Sequence, residues 1–184
     1  TDTDNFYKSV FGQHISGILS QEMARFDSQW MAYADSLVRL AIGYPFCIRG
    51  LGPVSAILMP SESGALSWPD REGVRVACID QANWPVESEF ADRLFICHAL
   101  EHSGDAQAFL AEAHRVLTGG GRIIITVPHR RGLWARSERS PFGQGTPFSR
   151  RQLYRLLEQT GFEPVRCRYS LFLPPFVQSF PKSL

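Results

Sequence analysis

Five histidines and a cluster of arginines set the chemical possibilities of this chain. His98, Glu101 and His102 sit together in the run CHALEH, directly after an apolar stretch. An imidazole titrates near neutrality, so His98 at the end of a strand is the candidate base, or a group that orients a substrate. The competing reading, and the commoner one for such a residue, is a histidine hydrogen-bonded in the wall of a crevice. Glu101 and His102 do not make a metal centre with His114, which lies a helix away, and no HExxH is present. No metal is therefore expected. Arg130, Arg131, Arg136 and Arg139, with Trp134 and Phe142, lie in one loop. Arginine forks suit carboxylate or phosphate, so Arg130, Arg131, Trp134 and Phe142 are the candidate grip on an anionic or aromatic substrate. RNA is conceivable there through phosphate contacts and stacking. A charged surface loop anchored by its aromatics explains the same residues equally well. Gly43 either lets the backbone approach a ligand closely or makes a tight turn after a strand.

These residues need elements to hold them. Residues 5–30 carry apolar side chains at spacings of three and four, which predicts a helix, weakened near Gly12. Residues 36–42, 53–59, 74–80 and 93–99 read as short strands bounded by glycine, proline and polar turns. Asp105 caps a helix whose stripe is Ala106, Phe109, Leu110, Ala113, Val116 and Leu117. Gly119, Gly120 and Gly121 are expected to end it, because glycine reaches the left-handed conformation freely. The run RIIITVP has no alternation and predicts a strand buried on both faces. Ser149 with Gln152 three residues on forms a capping box for a last helix, which Gly161 ends. Residues 163–173 read as a final strand.

Strands that alternate with helices predict an α/β fold: a doubly wound, mostly parallel sheet with helices on both faces, with room for a missing last strand. One domain is expected over residues 1–184: a helical segment to residue 35, the α/β core over 36–173, and an irregular tail from 174. Ligands in such sheets bind outside the carboxyl ends of the strands, at the point where strand order reverses.

The bulk numbers narrow the classes. An apolar fraction of 44% and a charged fraction of 20% suit a globular domain. A net charge of +1 gives no argument for nucleic acid or membrane. Four cysteines without a CxxC pair read as free thiols in a reducing compartment, and a cytoplasmic location is the default. The chain does not begin with Met, which leaves room for elements outside it.

The stretch IDQANWPVESEFADRLFICHALEHSGDAQAFLAEAHRVLTGGGRIIITVPH resembles the second half of class I S-adenosylmethionine-dependent methyltransferases of the type 11 group. The matching features are Asp80 after a strand, Trp84-Pro85, Phe90 and Asp92 before the next, Leu100 to His102, Arg115 to Leu117, and Gly119 to Gly121. The later GLWAR...SPFGQGTPFS looks like a bacterial branch of that family. The resemblance covers roughly residues 36–170. It implies a Rossmann-like fold and S-adenosylmethionine as cofactor. It places Ala41, Gly43 and Tyr44 at the methionine end, Glu62 on the ribose, and Asp80 with Gln81 on the adenine. The family's glycine-rich loop is RLAIGYPF here: Gly43 matches its middle glycine, Ala41 and Pro45 replace the others, and Arg39 stands near the usual acid. The second strand ends in Met59-Pro60, where the family has a carboxylate.

The implied activity is in-line methyl transfer to an oxygen, nitrogen or carbon nucleophile on an unidentified small or large acceptor. The alternative is a module of this fold that has lost its cofactor and serves interaction or regulation.

Overall fold

A computed structural model describes residues 2–28, 37–44, 48, 51, 54–61, 75–137 and 140–172. The order is α1 (Asp2–Lys8), α2 (Val10–Ser28), β1 (Arg39–Gly43), β2 (Ala56–Pro60), β3 (Arg75–Ile79), β4 (Ala91–Cys97), α3 (Ala106–Val116), β5 (Leu117–Thr126) and α4 (Arg150–Gln159). Short 3₁₀ turns at Leu100–His102, Trp134–Arg136 and Pro141–Gly143 join them.

The five strands form one sheet in the order β3-β2-β1-β4-β5. Every pairing is parallel, so all carboxyl ends lie on one rim. Strand order reverses between β1 and β4, where Ile42 faces Ile96 and Gly43 faces Cys97. Alternation along each strand sends side chains to two cores. Ala41, Ile57, Met59 and Phe95 meet Ile15, Leu19 and Met23 of α2 on one face. Leu40, Ile42, Leu58, Leu94 and Ile96 meet α3 and Leu157 of α4 on the other. Phe109, Leu110, Ala113 and Val116 are wholly buried. Each large side chain of that stripe contributes about 1.5–3 kcal/mol. No helix of the described residues is long and apolar enough to cross a membrane.

Local chemistry fixes the helix starts. Asp105 accepts from the backbone N–H groups of Gln107 and Ala108, opening α3. At α4, Ser149 and Gln152 make a reciprocal capping box. The N-terminal helix divides at Ser9, three residues before the weak point expected at Gly12. A Cβ at Gly12 would lie 1.9 Å from the Phe6 carbonyl oxygen, so the close approach of the two helices requires glycine there. At the amino end of the sheet, Asp27 of α2 stands between Arg39 of β1 (3.8 Å) and Arg93 of β4 (3.5 Å), all three buried. The arginine that occupies the place of the family's acid thus anchors α2.

Three expectations need correction. Gly119 to Gly121 do not end α3 in a left-handed turn. Leu117, the residue after α3, already has extended backbone, and β5 begins there. The glycines form an irregularity between the Ala91–Leu117 and Arg93–Arg122 pairs. A Cβ at Gly121 would press on Leu117 and Thr118. Nor is β5 covered on both faces: Ile124 is buried, while Ile123 and Ile125 are only partly so, because β5 is the edge strand and pairs with β4 alone among the described residues. Finally, residues 163–172 form no strand; Val165 and Phe172 are 66% and 79% exposed. Residues 173–184, the expected tail included, lie outside the described residues.

Candidate functional site

The rim at the reversal between β1 and β4 is built by backbone approach. Gly43 closes β1 with φ +93°, and a Cβ there would lie 2.1 Å from the carbonyl oxygen of Cys97. Only glycine fits, for both reasons. The Tyr44 N–H donates to the same Cys97 carbonyl at 3.0 Å. Ala41 and Tyr44 are 2% and 5% exposed and pack in the α2-side core, so any approach to a ligand from these two is through backbone.

Two strands away, Asp80 directly follows β3 and is exposed. Its Oδ1 accepts from the Ala82 N–H at 2.8 Å, which turns the chain back. The strands are about 4.8 Å apart, so the tips of β1 and β3 are separated by about 10 Å, a nucleoside's breadth. Gln81 is engaged with the opposite loop: its side-chain Oε1 accepts from the Gly104 N–H at 3.0 Å, and its Nε2 donates to the His102 carbonyl at 3.5 Å. The loop carrying both residues is braced against α3. Glu112 accepts from the Trp84 N–H (3.0 Å) and from two guanidinium nitrogens of Arg115 (both 2.8 Å), and Arg115 also donates to the Val86 carbonyl. Those arginine bonds hold the Glu112 carboxyl below the usual carboxylate range, against the opposing effect of burial. Glu62, the residue expected on the ribose, lies outside the described residues. At the end of β2, Met59 is wholly buried.

His98 follows β4 in a left-handed conformation, φ +52°, and is wholly buried. Its Nδ1 lies 2.7 Å from Glu101 Oε1, and its Nε2 lies 2.6 Å from the Tyr7 hydroxyl of α1. With Glu101 as acceptor, Nδ1 carries the proton and Nε2 accepts from Tyr7. Both ring nitrogens thus meet protein groups, the geometry of a crevice-wall histidine. Glu101 is itself sealed: its carbonyl accepts from the Thr146 N–H at 2.7 Å, a Cβ at Gly145 would lie 2.7 Å from its Cγ, and its Oε2 is buried without a hydrogen-bond partner among the described residues. Sequence reading missed Tyr7, since nothing local marks a partner 91 positions from His98.

The loop after β5 splits in two. Trp134 and Phe142 are buried, Trp134 stacked on Phe11 (5.8 Å between centroids, 10° between planes) and Phe142 edge-on to His98 at 4.7 Å. Arg130 and Arg131 are exposed. Trp134 and Phe142 also border a cavity of about 760 Å³ that runs along the outer edge of β5 between α2 and α4; Gly43, Asp80 and His98 do not line it. Among the described residues no group of three or more His, Cys, Asp or Glu side chains could hold a metal ion.

The comparisons agree with this architecture. Residues 61–125 match the family model described as "Methyltransferase domain". A Thermotoga maritima S-adenosylmethionine-dependent methyltransferase, described as a possible histamine N-methyltransferase, superposes with a TM-score of 0.64 at 22% identity, covering 87% of this chain and 77% of its own. The CurJ carbon methyltransferase gives 0.63 at 14% identity, covering 85% and 50%. The methyltransferase CalH, solved with S-adenosylhomocysteine, gives 0.50 at 16% identity, covering 68% and 44%. The curated proteins contain no match to the sequence. The fold is that of class I S-adenosylmethionine-dependent methyltransferases, and the methyltransferase-domain match over residues 61–125 lies within it. The matched stretch runs from the residue after β2 to within β5.

Proposed function

We propose that this chain binds S-adenosylmethionine across the tips of β1, β2 and β3 and transfers its methyl group to an acceptor held beside the β4 and β5 tips. The observation that carries the reading is Gly43: a positive-φ glycine at the reversal of an all-parallel sheet, pressed on a carbonyl that leaves no room for a Cβ. The cofactor supplies an electrophilic methyl sulfonium. Backbone at Ala41, Gly43 and Tyr44 borders its methionine end, Glu62 serves the ribose, and Asp80 with Gln81 takes the adenine. Placement and exclusion of water are what such a displacement asks of a protein, so no universal base is needed. His98 is then a positioning residue, tying α1 to the β4 tip through Tyr7. Arg130 and Arg131 face the acceptor side; Trp134 and Phe142, expected to grip the substrate, are instead buried in the α2-side core and anchor the loop that carries the arginines. The names of similar structures specify nitrogen in one case and carbon in another, so the fold does not choose the nucleophile.

Titration calorimetry with S-adenosylhomocysteine tests this. Saturable binding, weakened at least fivefold by Asp80→Asn, is the expected result. No heat at millimolar ligand overturns it. A second reading, a domain of this fold without its cofactor, draws on the buried Met59 at the end of β2 and the packed Tyr44. A thermal shift with the cofactor removes that reading.

A further inference from the structure

The net charge of +1 conceals a strong division along the chain. Residues 1–114 hold seven Lys and Arg against fifteen Asp and Glu; residues 115–184 hold twelve against three. Between 115 and 172 the basic residues are eleven arginines and no lysine. The fold gathers many of them on one face. Arg150, Arg151 and Arg155 are exposed on α4. The His129–Phe148 bridge and the bond from the Arg130 N–H to the Phe148 carbonyl (3.0 Å) bring Arg130 and Arg131 beside the start of that helix. The His129 ring meets Tyr169 at 5.1 Å, which adds the strip bearing Arg166 and Arg168.

Aromatic rings lie among these guanidiniums. Arg150 stands 4.9 Å over the Tyr154 ring, and Tyr169 is 47% exposed. Arg168 is committed to Glu22 at 3.2 Å. No ion pair within the described residues engages Arg130, Arg131, Arg151 or Arg155. The three acids of residues 115–184 are Glu138, in the loop after Arg131, Glu158, at the far end of α4, and Glu163. Leu153, Leu156 and Leu157 of α4 pack into the core, so the arginines are not the polar side of a lipid-seeking helix.

We propose that this face binds single-stranded nucleic acid. Unengaged arginines neutralise phosphates, and arginine planes with tyrosine rings offer stacking surfaces that a single strand can use with any base. An acidic polypeptide would satisfy the charge but gain little from the rings. The face begins at the β5 carboxyl end, so the bound strand would lie against the acceptor side of the site. The binding itself goes beyond the methyl-transfer reading and does not require it.

Fluorescence anisotropy with a fluorescein-labelled 15-nucleotide oligouridine tests the proposal. Saturable binding at 50 mM salt is expected, falling roughly 50-fold by 200 mM if four phosphates are contacted. Arg151→Glu with Arg155→Glu should weaken it at least tenfold and flatten the salt dependence, with the melting temperature unchanged. A 15-residue polyglutamate and vesicles of phosphatidylserine and phosphatidylcholine should compete at least tenfold less well. Absence of binding, an unaffected double variant, or equal competition by polyglutamate or vesicles overturns it. Calorimetry with S-adenosylhomocysteine on the same samples separates the two readings: a null there removes the cofactor reading and leaves oligonucleotide binding to be judged alone.

Discussion

Replacing Tyr7 by Phe tests whether α1 is tied to the β4 tip through His98. The ring, 2% exposed and packed in the α2-side core, stays; only the hydroxyl 2.6 Å from His98 Nε2 goes. His98 is wholly buried, so water cannot simply take the hydroxyl's place. Loss of a donor to a buried acceptor costs about 1–3 kcal/mol. In a domain of this size each kcal/mol lowers the melting temperature by about 2–4 °C, so a fall of roughly 2–12 °C is expected. Glu101→Gln perturbs the other ring nitrogen, and the two changes share one imidazole. Urea titrations of the wild type, both single variants and the double variant should therefore show non-additivity of at least about 0.5 kcal/mol. Tyr169→Phe, at a ring 47% exposed, is the control and should stay within about 0.5 kcal/mol. If Tyr7→Phe falls in the same range as that control, or the cycle is additive, the fastening described here is wrong.

Gly43→Ala must place a Cβ against the Cys97 carbonyl and hold φ near +93°. A cost of about 2–4 kcal/mol by denaturant titration is expected, and a loss under about 0.5 kcal/mol would remove the reason given for this glycine. Glu112→Gln is expected to destabilise by about 1 kcal/mol at pH 7. The folded-state carboxyl is held below 4.5, so the stability it contributes is present above that pH and is lost as pH falls through the depressed value. The gap between wild type and variant should accordingly close on acidification; a gap that widens would contradict the assigned arginine bonds.

The sheet was readable because its strands are short apolar runs punctuated by glycine and proline, and because Asp105 and Ser149 mark their helix starts by side-chain chemistry alone. Gly119 to Gly121 misled because a glycine run after a helix suits a terminating turn as well as a strand irregularity. Only the pairing with Ala91 and Arg93 distinguishes them. Residues 163–172 have a strand's composition, but a strand also needs an edge to pair with, and local sequence does not supply one. At the site, Gly43 and Asp80 were visible as strand-end residues. The Tyr7 contact to His98 was not, being purely tertiary. The arginine face was present in the sequence all along, but a whole-chain net charge averages it away.

The division of labour between α2 and the sheet bears on how the polypeptide is made. Ile15, Leu19 and Met23 find their cover on β1, β2 and β4, and β4 is completed only at Cys97. At typical translation speeds of about 5–20 residues per second, the nascent α2 segment waits roughly 3–14 s after Ser28 is added before that residue is even polymerised. Through that interval those side chains have no native surface to cover them. Slower decoding of the codons for residues 29–97 would prolong that exposure without altering the finished molecule.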